Sequence, residues 1–148
     1  MRVVLRSSSL LFTTLGIVLN APVARVREAL RLGVAGHVQI GMRVQDVLVM
    51  FEGRTRYNPD NSSLQVYATS PPQGRPDLAI ALKNGLVSSI RVYSGRYRMD
   101  TGIGIGSPLM EVASHHSLHW LDDNTSEADG LKMQFVFKKE TVVSILVM

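Results

Sequence analysis

The chain has 148 residues, of which 45% are hydrophobic and 19% are charged, a composition that can form one globular domain without covalent staples. It has no cysteine, which excludes disulfides, a thiolate nucleophile and a lipidated cysteine. Its net charge is +4, but its arginines are scattered singly, which argues against nucleic-acid binding.

The first 24 residues can be interpreted as a secretory signal. Arg2 and Arg6 would form the charged start, Leu10 to Leu19 the apolar segment, and Ala24 the small residue at the cleavage point. The apolar segment is shorter than the roughly 18 residues of a membrane span. Under this interpretation the protein would be periplasmic.

The same segment can also be interpreted as part of the fold, which we favour, together with a cytoplasmic location. Residues 2–6 and 10–14 are rich in Val, Leu and Phe, as in two short strands. Asn20 then suits a helix cap, Pro22 suits the first helical turn, and Gly33 suits the helix end. Residues 1–33 are therefore predicted to form a strand and helix extension. Because residues 16–22 resemble residues 102–108, a degenerate third copy of the repeat described below is an alternative interpretation of this extension.

An internal repeat is the most informative feature of the sequence. Residues 38–47 align with residues 103–112, and in both segments a short apolar run reaches a glycine, Gly41 or Gly106. An acidic residue followed by valine comes five residues after each glycine, as in the first turns of a helix. Each glycine is predicted to form a strand-to-helix turn that requires an unusual backbone angle.

Two hairpins are predicted downstream of these turns, because residues 78–90 align with residues 133–145. Asn84-Gly85 is a strong hairpin signal, since both residues tolerate the positive φ angles of a type I′ turn. The expected fold is α+β, with tandem helix plus antiparallel β-hairpin repeats forming one layered domain. Repeat 1 would cover residues 34–95 and repeat 2 residues 96–148.

With these glycine-to-helix turns and hairpins, the chain resembles the tandem α/β repeat of the beta-lactamase inhibitory protein family and of the small outer-membrane assembly lipoprotein family. The resemblance covers residues 38–148. It implies a non-enzymatic role in which a sheet surface binds a partner protein. The chain departs from both families because it has neither the lipidated cysteine nor the cysteine pair.

Two segments invite a chemical interpretation. His115 and His119 would share one face of a helix, at a spacing compatible with zinc, if the second helix ran that far. However, the glutamate usual between such histidines is absent, and His116 and Ser117 stand there instead. Residues 102–108 are rich in glycine but lack the lysine of a phosphate-binding loop. We therefore expect no metal, no cofactor and no catalytic residues.

Two further segments are candidates for contact with a partner. The first alternates arginine and tyrosine, the side chains enriched at interface hot spots, although it could equally be a connector that fills the seam between repeats. Its residues are Arg91, Tyr93, Arg96, Tyr97 and Arg98. The second is an acidic loop that could hold a basic partner or could simply be solvated. Its residues are Asp122, Asp123 and Glu127.

The sequence therefore predicts a non-enzymatic protein-binding module that is a monomer or a weak homodimer. An immunity or inhibitor protein that neutralises a partner such as a toxin is the leading interpretation, because such proteins are small and free of cofactors. An exported envelope assembly or scaffold protein is the alternative, and a small-molecule enzyme is the third.

Overall fold

The computed structural model describes residues 27–148, which contain twelve strands and two α-helices. The strands are β1 (Glu28–Arg31), β2 (Val34–Ala35), β3 (Val38–Gln39), β4 (Thr55–Asn58), β5 (Ser63–Val66), β6 (Leu78–Lys83), β7 (Leu86–Val92), β8 (Tyr97–Arg98), β9 (Leu118–Trp120), β10 (Thr125–Ala128), β11 (Met133–Lys138) and β12 (Thr141–Val147). The helices are α1 (Val44–Met50) and α2 (Leu109–His115), and a short 3-10 helix covers Pro59–Asn61. No helix within residues 27–148 is long and apolar enough to cross a membrane.

Eight of the strands form one antiparallel sheet in the order β9-β10-β11-β12-β7-β6-β5-β4. Its two halves are four-stranded meanders, β4 to β7 and β9 to β12, which join at the centre where β12 pairs with β7. A smaller sheet has the order β3-β2-β1-β8, and its pairing of β1 with β8 is parallel. The fold is thus built mainly from strands.

The predicted α+β architecture of helix and hairpin repeats is wrong. Each helix has only seven residues and buries one of them, Val47 in α1 and Val112 in α2, so the helices contribute little to the core. The sequence pattern identified the central hairpins but missed the outer strands β4, β5, β9 and β10. These strands are short and carry many polar residues, and their pairing is determined by neighbouring strands rather than by local preference.

The helix predicted to run from Asn20 to Gly33 is also wrong where the structure describes it. Residues 28–31 form strand β1, and Gly33 lies in the turn that follows, with a φ of 69°. The amide of Glu28 donates to the carbonyl of Arg96 at 2.8 Å, so pairing with a distant segment overrides the helical pattern. The two strands and the signal sequence predicted within residues 1–24 lie outside the described residues.

The core lies on one face of the large sheet, which we call the inner face. Its largest buried side chains include Leu64, Ile80, Ile90 and Phe135, and residues of the helices and the small sheet pack against them. Side chains alternate between the two faces of a strand. The opposite, outer face therefore carries the alternate, half-buried residues, among them Gln65, Ala79, Arg91, Leu146 and Gln134.

The turns that lead into the two helices make corresponding hydrogen bonds. The amide of Gly41 donates to Val87, and that of Gly106 donates to Val142, each at 2.8 Å. Both glycines have a positive φ, 91° and 93°, which confirms the predicted backbone requirement. The hairpin predicted at Asn84-Gly85 is confirmed as well, with φ angles of 54° and 75°. The predicted repeat boundary between residues 95 and 96 stays a prediction.

Candidate functional site

Five of the residues predicted to contact a partner, Arg91, Tyr93, Arg96, Tyr97 and Arg98, are called the arginine and tyrosine strip. Most of them make contacts within the protein. Arg96 donates from Nη2 to Oδ2 of Asp77 at 2.8 Å, and both side chains are mostly buried. Tyr97 is 3% exposed, and this burial raises the pKa of its phenol to about 12. These two residues stabilise the junction between the large and small sheets.

Arg98 is held by the glycine-rich segment that follows it. Its guanidinium donates to the carbonyls of Gly102 at 2.8 Å and Ile105 at 3.1 Å. At Gly104, an added Cβ would lie 2.7 Å from the carbonyl oxygen of Tyr97, so only glycine allows this approach. The glycine-rich segment therefore forms a structural cradle around an arginine.

Arg91 and Tyr93 point away from the core, on the outer face of the sheet. Arg91 donates from Nη1 to the hydroxyl of Ser144 at 3.1 Å. The guanidinium of Arg75 lies 4.3 Å from the centre of the Tyr93 ring, within cation–π range. The structure thus divides the five predicted strip residues between an internal junction and the outer face, and it does not bring them together on one surface.

A concave region surrounds Trp120, at the β9 edge of the large sheet. This side chain is 43% exposed, and its ring centre lies 5.5 Å from that of Phe137. A cavity of about 680 Å³ lies on one side, bordered by α2 residues and by His116 and Leu118. A second of about 560 Å³ lies on the other, bordered by Asp122 and Asp123. Trp120 and Leu109 border both, and we call the two cavities together the Trp120 cleft.

Comparison of the two halves of the sheet gives a reason for this cleft. Tyr57 pairs with Leu64 in the first half, and Trp120 pairs with Ser126 at the corresponding place in the second. Phe51 directly follows α1, whereas His116 directly follows α2. The second half therefore has a serine and a histidine where the first has two large apolar side chains. The smaller and more polar residues leave space beside Trp120.

His116 is a half-buried polar residue at the inner end of the first cavity. Its ring stacks on Phe135 with a centre distance of 6.3 Å, and within residues 27–148 its buried Nε2 has no hydrogen-bond partner. Burial and, to a lesser degree, the nearby His115 lower the pKa of this imidazole. His116 therefore favours its neutral form.

The histidine arrangement that the sequence suggested for zinc is not formed. Helix α2 ends at His115, and His119 lies in β9, paired opposite Glu127 on the outer face. Across the described part of the chain, no three His, Cys, Asp or Glu side chains are grouped so that they could hold a metal ion.

The acidic loop is divided between two surfaces. Asp122 and Asp123 border the cleft, and Oδ1 of Asp122 accepts hydrogen bonds from the amides of Asn124 and Thr125, each at 2.7 Å. These bonds lower the pKa of Asp122 and keep its carboxylate charged. Glu127 lies on the outer face, where its Oε2 accepts a hydrogen bond from the side-chain Nε2 of Gln134 at 3.5 Å.

Sequence reasoning named Asp122 and Asp123 but missed Trp120, which the structure places beside them. The available signal was its identity as the single tryptophan of the chain, within a polar stretch of sequence. A tryptophan in such a stretch can fill the core or remain exposed, and the periodicity of a strand of three residues is too short to distinguish the two.

Fold and site together define a β-rich protein in which a single large antiparallel sheet carries an aromatic cleft at one edge. No family model and no curated protein matches the sequence. A solved structure, that of the uncharacterized protein yfeY from Escherichia coli, is similar, with a TM-score of 0.53 and 17% sequence identity. The match covers 82% of this chain and 99% of that one. At this identity the likeness shows the fold alone.

Proposed function

We propose that this chain is a non-enzymatic protein-binding module that holds its partner at the Trp120 cleft, as an immunity or inhibitor protein would hold the protein it neutralises. One observation carries the proposal: the only tryptophan of the chain is almost half exposed, with a cavity on each side. Tryptophan is among the residues most enriched at binding hot spots, where it fills or borders a pocket of the partner.

The surroundings of Trp120 have the composition of a protein interface. Leu121 is exposed next to it, and Asp122 and Asp123 follow. An apolar centre beside charged residues is the usual anatomy of an interface, in which the apolar part supplies affinity and the charges supply orientation. This supports a protein partner.

The Trp120 cleft is a better candidate for the partner-binding surface than the arginine and tyrosine strip. Arg96 and Arg98 already donate to Asp77, Gly102 and Ile105, so contact with a partner would break internal hydrogen bonds. Each such loss would cost about 1 kcal/mol or more. The apolar and aromatic side chains that border the cleft, Leu109, Leu118 and Trp120, can meet a partner without this cost.

The proposal is tested by quantitative affinity capture followed by binding measurements on purified proteins. The full chain serves as bait, and the product of a neighbouring gene is the first candidate partner. Trp120→Ala should weaken binding at least tenfold, about 1.4 kcal/mol. Tyr57→Ala is the matched control, because Tyr57 is 41% exposed at the equivalent place on the opposite edge. Equal effects of the two substitutions would contradict the proposal.

The charge component is tested separately through association rates. Asp123→Asn should slow association with a basic partner and flatten its dependence on salt, because the carboxylate borders the cleft. Glu127→Gln is the control, since Glu127 lies on the outer face and should leave the rate unchanged. A larger effect of Glu127→Gln would place the contact on the outer face instead.

A further inference from the structure

Strand β9 is at the edge of the large sheet and pairs only with β10 among the described residues. The carbonyl of Ser117 accepts from Asp129 at 3.0 Å, and the amide of Leu121 donates to Thr125 at 2.8 Å. Hydrogen-bonded pairs alternate along an antiparallel ladder. The amides and carbonyls of Leu118 and Trp120 therefore point away from β10.

No residue within 27–148 makes a hydrogen bond to these four outward groups. A row of unpaired backbone groups at a sheet edge is a template for an added strand. Proteins that bind extended peptides use such edges, taking affinity from the backbone bonds and specificity from pockets for alternate side chains.

The Trp120 cleft supplies pockets in this arrangement. Leu118 and Trp120 both point to the inner face and border the first cavity, and Trp120 and Asp122 border the second. The second cavity thus follows the first in the direction of the chain, at the end of β9. In an added strand, side chains two residues apart lie on the same face, about 6.6 Å from each other. Two such side chains would enter the cavities on either side of Trp120.

The two cavities have different chemistry. Around the first, Leu109, Ala113 and Leu118 provide apolar surface beside the polar Ser114, His115, His116 and Ser117. No Asp, Glu, Lys or Arg borders it, so it accepts an apolar side chain more readily than a charged one. Around the second are three acidic residues and one basic residue, a formal charge of −2, from Asp122, Asp123, Glu140 and Lys139. A lysine or arginine side chain complements this charge.

We propose that β9 is the docking edge for an extended segment of the partner protein, which pairs with it as a ninth strand of the sheet. The segment places an apolar side chain in the first cavity and a lysine or arginine, two residues away, in the second. This inference rests on the proposed function and adds to it the mode of binding and the chemistry of the partner.

A second copy of this chain fits the edge less well than a different protein. The opposite edge, β4, carries Arg56 and is preceded by Arg54, and these two basic residues would have to face the acidic cavity of a second copy. However, Arg54 donates to the carbonyl of Tyr67 at 2.8 Å and Arg56 to that of Pro72 at 3.1 Å. The basic side chains of that edge are therefore already engaged.

The experiment selects nine-residue peptides from a random display library against the full chain. Enriched peptides should share an apolar residue and a lysine or arginine two positions apart. Because Trp120 is the only tryptophan, its fluorescence reports directly on the cleft when the synthesised peptides are titrated. A library without enrichment, or enriched peptides that lack this spacing, would overturn the inference.

The backbone pairing is tested with N-methylated versions of the best peptide. Methylation at alternate positions, where the peptide amide faces β9, should abolish binding. Methylation at the positions between them should change the affinity by less than threefold. Leu118→Pro should weaken binding at least tenfold, because it removes an outward amide that the fold does not use. Tyr57→Pro removes the equivalent outward amide of β4 and is the control, which should leave binding unchanged.

The outcomes separate this inference from the proposed function. If peptides bind in a manner that requires Trp120 but methylation shows no alternation, the strand pairing is wrong and the cleft remains the binding site. If the partner identified by capture is insensitive to Trp120→Ala, both proposals fail. If sedimentation shows self-association that Leu118→Pro abolishes, the edge joins copies of this chain and the inference of a separate partner is overturned.

Discussion

Arg96 and Asp77 form an ion pair with 2.8 Å between Nη2 and Oδ2, and their side chains are only 27% and 12% exposed. The pair connects the loop before β8 to the loop before β6. Arg96→Ala would leave the carboxylate of Asp77 without its guanidinium partner in a largely buried position. We expect a loss of about 1 to 3 kcal/mol in the free energy of unfolding.

Chemical denaturation of the Arg96→Ala variant measures this loss. Arg43→Ala is the control, because Arg43 also pairs with an acid, Asp46, but at 3.2 Å and with its side chain 73% exposed. Its removal should change stability by less than about 1 kcal/mol. Equal stability of Arg96→Ala and the wild type would show that the Arg96 pair contributes nothing to folding.

Gly41 and Gly106 should each be sensitive to substitution by alanine. Nothing lies within 4 Å of an added Cβ at either position, so the expected cost comes from the backbone angle alone. A non-glycine residue at such an angle costs about 1 to 3 kcal/mol. Thermal unfolding of both variants tests this. Gly95→Ala is the control because Gly95 has no positive φ, and its added Cβ would make only ordinary van der Waals contacts, the nearest with Nη2 of Arg98 at 3.7 Å.

Stability should fall as the pH decreases below about 6.5, in part because of His116. Since burial lowers the pKa of His116 in the folded state, the unfolded chain binds a proton at a pH at which the folded protein does not. Protonation therefore favours unfolding, and the loss of stability levels off below the pKa that His116 has in the folded protein.

Phe51 directly follows α1 at the place that His116 takes after α2, so His116→Phe is a suitable test variant. It should flatten this part of the pH dependence and raise the free energy of unfolding near pH 5.5 by about 1 kcal/mol, because it removes a buried nitrogen that lacks a partner. Urea denaturation at pH 5.5 and 7.5 gives both quantities. If the variant retained the full wild-type pH dependence, another group would be responsible.

A chelator should leave the protein folded. The described residues contain no group of three or more side chains suited to a metal ion, and their core consists of apolar side chains. We expect the same melting temperature with and without EDTA. A decrease of several degrees in EDTA would reveal a metal that contributes to stability.

Local patterns were sufficient where the chain's own backbone preferences determine the structure. Asn84-Gly85 forms the predicted turn, and Gly41 and Gly106 have the predicted positive φ. Each depends on angles that glycine or asparagine adopts readily, which can be recognised in a few residues. For the candidate site, the same kind of reasoning identified Asp122 and Asp123 by their acidic, turn-forming composition.

The tertiary structure decided everything that depends on a distant partner. Residues 28–31 have a helical pattern but form β1, because they pair with β2 and with β8. Arg96 and Arg98 look like contact residues in the sequence, but Asp77 and the carbonyls of residues 102 and 105 engage them. A cleft opens beside Trp120 because Ser126 and His116 are small or polar at places that Leu64 and Phe51 fill in the other half. Such pairings depend on residues far apart in the chain, which local propensity cannot encode.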